Sequence, residues 1–284
     1  MPRRRLLPRD WRAGLGLGLL LVIALAAIAA PLLAPAGMDS PRDVVTTRFL
    51  APGATDADGV FHLLGTDRLG RDVWSRLLYG ARVSLVVGVL GMVVSLVIGM
   101  AVGALAAAGR RPVAALLLGV TDFGLGLPRV VLLLLLASLW EPSAALVVLV
   151  LGLTGWMPVA RLVHAETRAQ LARPYVEAAA ALGAGRLRVL VRHAIPNALA
   201  PVLALATLGV GNAITLEAGL SFLGLGVQPP AASWGSMIAS GRDTVVNAPW
   251  VGLAPGVALV LVVVGSTLLA DVLQERGRIQ EGPA

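Results

Sequence analysis

The 284-residue chain contains no cysteine and no lysine, and few of its residues are charged. The absence of cysteine excludes disulfides and thiolate chemistry. All 23 basic residues are arginine, so the chain has no G-x-x-x-x-G-K-[ST] loop, in which the lysine contacts the nucleotide phosphates. If ATP drives this protein, we therefore expect another subunit to hydrolyse it. Charged residues make up only 14% of the chain, which is too few for an ordinary soluble domain.

Long apolar runs account for most of what is present, and the mean hydropathy is +0.84. Runs without any Asp, Glu, Lys or Arg reach or approach the ~20 residues that cross ~30 Å of hydrocarbon. They cover residues 13–38, 83–109, 143–160, 194–216 and 244–270. A sixth run, residues 112–140, is interrupted only by Asp122 and Arg129. These runs predict an all-α membrane protein with six transmembrane helices. The first run is too long for a secretory signal, so we expect it to be a retained helix.

The distribution of arginine predicts the orientation in the membrane. With alternating sides, 15 arginines fall on the side of both termini and 7 on the opposite side, which places both termini in the cytoplasm. The net charge of +7 follows from this topology and does not indicate nucleic acid. The predicted division is a basic cytoplasmic stretch (1–12), a first transmembrane helix (13–36), an extracytoplasmic loop with an interfacial helix (37–82), a core of five transmembrane helices (83–273) and a cytoplasmic tail (274–284).

A charged, amphipathic stretch at residues 174–195 interrupts the apolar chain. Pro174 suits a first helical turn, and Glu177 complements the positive end of a helix. Tyr175, Ala178, Ala179 and Leu182 follow at i, i+3, i+4 and i+7, which is the spacing of one helix face. Gly183 and Gly185 permit a reversal, and a second short helix is predicted before Pro196. A loop lying on the membrane surface, with its arginines near acidic lipid, is the alternative.

The order of residues in this stretch carries a family resemblance. Glu177-Ala178-Ala179 is followed after three residues by Gly183, and after nine more by the tetrapeptide "HAIP" at 193–196. This arrangement resembles the EAA motif in the membrane subunits of binding-protein-dependent ABC importers. His193 and Ile195 depart from the usual Ile and Leu. Residues 64–85 and 220–237 are similar to signature regions of the second permease subunit of dipeptide, oligopeptide and nickel importers.

The resemblance implies a type I ABC importer permease in a bacterial cytoplasmic (inner) membrane, with its EAA helices inserted in a groove of a separate ATPase. The implied partners are a second permease subunit that completes a heterodimer, two ATP-binding subunits and an extracytoplasmic substrate-binding protein. ATP and magnesium would be bound by the ATPase subunits, and no cofactor by this chain. The implied ATPase-coupling residues are Tyr175, Glu177, Ala178, Ala179, Leu182, Gly183, Arg186 and Pro196.

Two acidic residues fall within the predicted spans, where an unpaired charge is costly and suggests function. Asp122 follows Arg111 by 11 residues, or about 16 Å of helix, which is near mid-membrane. Glu217 lies near the outer end of the fifth span. Either acid could line a path for a peptide's amino terminus or a cation, or could bond to backbone or a neighbouring subunit.

No arrangement of residues indicates catalysis or metal binding in this chain. His62 is predicted outside, and His164 and His193 inside, so these side chains cannot converge on a metal ion. Peptide uptake is favoured over nickel uptake because cysteine and clustered histidine are missing. A stand-alone secondary carrier remains open. An intramembrane enzyme is disfavoured, since Asp122 and Glu217 lie at different depths.

Overall fold

The computed structural model describes the backbone of residues 11–35 and 44–280, and helices form most of it. The predicted basic stretch up to residue 10, the segment 36–43 and residues 281–284 lie outside this description. The longer helices are α1 (Trp11–Ile28), α4 (Val73–Ala108), α5 (Arg111–Gly126), α6 (Arg129–Ser138), α7 (Ala144–Leu171), α10 (Ile195–Phe222) and α12 (Trp250–Gln280). The shorter helices are α2 (Ala30–Leu33), α3 (Val44–Thr47), α8 (Pro174–Ala181), α9 (Arg186–Val189) and α11 (Trp234–Arg242), and the strands are β1 (Ala54–Thr55) and β2 (Phe61–His62).

Among the described residues, five helices are long and apolar enough to cross a membrane: α1, α4, α7, the continuous helix containing α10, and α12. The third predicted span is not one helix, because α5 and α6 meet at a bend of 89°. Leu127 at the bend is extended, with φ −85° and ψ 139°. A residue that precedes proline is disfavoured in the helical region, and Leu127 precedes Pro128. The count of six spans therefore holds when this bent pair is taken as one span.

The predicted interfacial helix and the second span form a single helix, α4, of 36 residues. Asp72 caps its first turn by accepting a hydrogen bond from the Ser75 backbone N–H at 2.7 Å. The chain continues through residue 82 without a break, so the predicted boundary there is not a structural one. A Cβ added to Gly80 would lie 3.5 Å from both Met237 Sδ and Trp234 Cδ1, so α4 and α11 lie close together at this position.

The loop predicted to lie outside the membrane contains a two-stranded antiparallel hairpin formed by β1 and β2. His62 of β2 is fully buried. Its ring nitrogens lie 2.8 Å from Asp72 Oδ1 and 3.2 Å from Asp56 Oδ2. Because Asp72 also caps α4, this network attaches the hairpin to the start of the second span.

Helices α4 and α7 pack with their backbones close together. A Cβ added to Gly99 of α4 would lie 2.5 Å from Val159 Cβ of α7, and one added to Gly103 would lie 2.5 Å from the Ala160 carbonyl oxygen. Both distances are too short for a side chain, so glycine is required at these positions. Small residues allow this approach between helices in lipid, where packing drives association.

A buried carboxyl side chain joins α4 and α10 to the segment that leads into α11. Glu217 of α10 is 0% exposed. It accepts hydrogen bonds from Ser84 Oγ of α4 at 3.1 Å and from Ser221 Oγ at 2.7 Å. These hydroxyls in turn accept the backbone N–H of Trp234, which begins α11, and of Val227. Glu217 therefore holds α4, α10 and the loop before α11 together.

We expect Glu217→Ala to lower the thermal stability of the protein purified in detergent. Both serine hydroxyls would lose their acceptor, and an unsatisfied buried polar group costs about 1–3 kcal/mol. Glu217→Gln keeps the size and one acceptor oxygen, and the serines can rotate to accept from its amide. The melting temperature of Glu217→Gln should lie between those of Glu217→Ala and the wild type. If Glu217→Ala has the same melting temperature as the wild type, Glu217 does not stabilise the contact between these helices.

Candidate functional site

The first helix of the amphipathic stretch is present as predicted, as α8 from Pro174 to Ala181. The helix ends in a left-handed turn at Gly183, whose φ is +87°. Leu182 N–H bonds to the Ala178 carbonyl and Ala184 N–H to the Ala179 carbonyl, both at 3.1 Å. Gly183 suits this end because a Cβ is strained at positive φ, whereas glycine is not.

The second helix of the stretch is not separate, because it merges with the fifth span. Helix α9 passes through a single π turn (Leu190–Ala194) into α10. Pro196 lies in the first turn of α10, inside a continuous helix, and so does not mark a boundary. Pro196 lacks a backbone N–H. The π turn directly before α10 includes the bond from Ile195 N–H to the Leu190 carbonyl, so the helix is continuous up to Pro196.

Most of the predicted coupling residues lie on an accessible surface. Leu182 is 90% exposed and Tyr175 is 40% exposed. Glu177, Ala178, Gly183 and Arg186 are also exposed, whereas Ala179 is half-buried. Leu187 and Val191, from the second half of the stretch, add exposed apolar area beside them. We call the exposed residues Tyr175, Glu177, Ala178, Leu182, Gly183, Arg186, Leu187 and Val191 the loop surface.

Hydrogen bonds attach α8 to the ends of two spans. Tyr175 Oη donates to Gln170 Oε1 of α7 at 2.9 Å. Asn197 Nδ2 of α10 donates to the His193 carbonyl at 2.6 Å and approaches Tyr175 Oη at 3.4 Å. A displacement of α8 would therefore pull on both α7 and α10. Sequence periodicity missed Gln170 and Asn197, because their role depends on which helix ends meet in space.

The two intramembrane acids lie in different surroundings. Asp122 of α5 has an exposed side chain, with Oδ1 3.5 Å from Arg161 Nη2 of α7. Arg161 lies within the helix α7. Glu217 is instead enclosed by the serine contacts described above. Asp122 and Glu217 therefore do not contact each other. A role for either acid in the translocation path stays a prediction.

Metal ligands do not converge in the described part of the chain. Among residues 11–35 and 44–280, no group of three or more His, Asp or Glu side chains is placed to hold a metal ion. Asp56 and Asp72 each bond to one ring nitrogen of His62.

Comparison with known proteins gives consistent similarities. The model of a family described as "Binding-protein-dependent transport system inner membrane component" matches residues 75–278. A putative peptide transport system permease protein of Brucella suis biovar 1 (strain 1330) is 39% identical over 274 residues, covering 96% of this chain and 88% of the relative. A di/tripeptide transport system permease protein of Pseudomonas aeruginosa (strain UCBPP-PA14) is 37% identical over 261 residues, covering 92% and 85%.

A solved structure supports the same fold. An inward-facing crystal form of the MetNI methionine ABC transporter aligns with a TM-score of 0.56 over 72% of this chain and 94% of the matched chain. Its sequence identity is 19%, so this likeness concerns the fold alone. The family model covers well over half of this chain, and the two relatives match nearly all of it. This multi-pass, all-α membrane protein therefore belongs to the binding-protein-dependent transport system inner membrane components, the permease subunits of ABC importers.

Proposed function

We propose that this chain is one of two permease subunits of an ATP-driven importer of dipeptides or oligopeptides in a bacterial cytoplasmic membrane. The observation that carries the proposal is similarity over nearly the whole chain to relatives named as peptide permeases. The complex would contain a second, similar permease, two ATPase subunits and an extracytoplasmic binding protein. Both termini would lie in the cytoplasm, as the arginine distribution predicts.

The loop surface is the proposed contact with the ATPase. Its apolar side chains Leu182 and Leu187 are too exposed to be explained by packing within the chain. Exposed Glu177 could accept a bidentate hydrogen-bond pair from an arginine of the partner. Closure of the ATPase subunits would move α8, and the bonds of Tyr175 and Asn197 would pass this motion to α7 and α10. Alternating access would follow from the movement of these spans.

The substrate is tested by reconstituting the complete complex in lipid vesicles. Uptake of labelled di-, tri- and pentapeptides and of nickel is measured with ATP, and separately with an ion gradient alone. We expect ATP-dependent uptake of one or more peptides and none of nickel. Nickel uptake would identify the metal branch of the family, and uptake driven by an ion gradient without ATP would indicate a secondary carrier. Either result would overturn the proposal.

We expect Gly183→Val to uncouple ATP hydrolysis from peptide uptake while the protein still inserts in the membrane. A β-branched residue at positive φ is strained, so the end of α8 would shift. Gly185→Ala is the matched control: Gly185 has φ −66° and its added Cβ would meet no atom within 4 Å. Binding-protein-stimulated ATPase activity and uptake are measured in the same vesicles. Equal uptake per ATP in both variants would count against the role of Gly183.

Glu177→Gln tests the charge on the loop surface without changing its shape. We expect it to lower coupled uptake, because one carboxylate oxygen is replaced by an amide that repels an arginine donor. Insertion and thermal stability should stay unchanged, since Glu177 is exposed. Wild-type coupling in Glu177→Gln would remove this residue from the proposed contact.

The path role proposed for Asp122 is tested by Asp122→Asn, with Asp122→Glu as a variant that keeps the charge. The carboxylate is exposed beside Arg161 and could attract the amino terminus of a peptide. We expect lower peptide uptake by Asp122→Asn than by Asp122→Glu. Uptake by Asp122→Asn at the wild-type rate would exclude the role, and the same result with Glu217→Gln would exclude Glu217.

A further inference from the structure

Arg129 is a charged residue inside the membrane region, and one buried nitrogen of its side chain has no hydrogen-bond partner in the described part of the chain. It begins α6 directly after the bend and interrupts an otherwise apolar run. Its Nε atom is buried and has no hydrogen-bond partner among the described residues, 11–35 and 44–280. A charge at this depth is expensive unless something compensates it, and such residues mark substrate paths.

The guanidinium of Arg129 borders a cavity of about 90 Å³ between α4, α7 and α10. The lining includes Ser95, Gly155 and Asn212, one from each of these helices. A Cβ on Gly155 would lie 3.0 Å from Arg129 Nη2, so a glycine here lets the guanidinium lie directly against α7. These lining residues lie near the middle of their helices, so the cavity is at mid-depth in the spans.

The polar groups around the cavity fit an anion attached to a peptide. Arginine presents paired N–H donors that match the two oxygens of a carboxylate. Asn212 lies on an exposed part of α10, and its side-chain amide is able both to donate and to accept. The rest of the lining is largely apolar, including Leu151 and Leu205. The cavity has room for a carboxylate rather than for a whole peptide, so the remainder of the substrate would lie outside it.

We infer that Arg129, with Asn212 beside it, binds the carboxylate at the carboxyl terminus of the peptide during its passage through the permease. This inference rests on the proposed function. The competing explanation is structural: an acidic residue of the second permease subunit pairs with Arg129. The two differ in one respect, because only a substrate contact makes the effect of an Arg129 variant depend on the peptide's own carboxylate.

The experiment uses the complete complex in vesicles and two probes, trialanine and trialanine amide, each with saturating binding protein. ATP-driven uptake of both is measured for the wild type and for Arg129→Gln. The binding protein is the same in the wild-type and the Arg129→Gln complexes. Its own preference for the acid or the amide therefore cancels when the two acid-to-amide uptake ratios are compared. We expect Arg129→Gln to lower uptake of the free acid about tenfold and of the amide less than about twofold, as for loss of a charge-assisted bond.

A second variant, Arg129→Lys, keeps the charge but loses the paired donors. It should retain more free-acid uptake than Arg129→Gln and show a smaller change in ratio. It also carries the test if Arg129→Gln does not assemble or if the amide is not transported at all. In the first case an unchanged acid-to-amide ratio in Arg129→Lys overturns the inference. If the amide is not transported, equal uptake of the free acid by Arg129→Lys and Arg129→Gln overturns the inference.

The outcomes separate the inference from the proposed function. Equal loss for the acid and the amide would show a structural or subunit-pairing role for Arg129, and no loss for either would show no role; both overturn the inference and leave peptide transport intact. If the wild-type complex does not take up trialanine or other peptides with ATP, the proposed function fails, and the inference fails with it.

Discussion

The close packing of α4 against α7 is the contact on which the rest of the structure depends. Lipid tails offer no hydrophobic driving force between helices, so the two spans associate through close contact of small residues. Gly99 and Gly103 on α4 leave no room for a side chain against α7, and Gly155 on α7 leaves none against Ser95. Gly155 and Ser95 also line the cavity beside Arg129, so part of this close packing also shapes the interior of the core.

The spans themselves could be predicted from the sequence, because a charge-free run of about 20 residues has few alternatives to a membrane helix. The bend between α5 and α6 could not be predicted in this way. Hydropathy averages over the run, whereas the bend depends on a single extended residue, Leu127, held by the proline after it. Pro128 was the available signal, and its effect is local, so an average over the whole run conceals it.

The amphipathic stretch shows a similar division. The helical spacing of apolar residues predicted α8, and Gly183 predicted the end of α8. Both features depend only on residues that are close together in the sequence. The merging of α9 with the fifth span was missed, because proline usually marks a boundary and here sits in the first turn of a continuing helix. The bonds of Gln170 and Asn197 to Tyr175 join residues from three helices, and no pattern within one helix reveals such contacts.

Glu217 and Arg129 show why residue type alone does not identify a functional charge in a membrane. The sequence singled out Glu217 as an acid in a span and treated Arg129 only as an interruption. In the structure, two serine hydroxyls donate hydrogen bonds to Glu217 within the chain, and its side chain contributes to packing. Arg129 keeps a buried N–H without an acceptor in the described residues. Because a buried donor without an acceptor costs free energy, Arg129 would gain from a ligand or from a second subunit that supplies one.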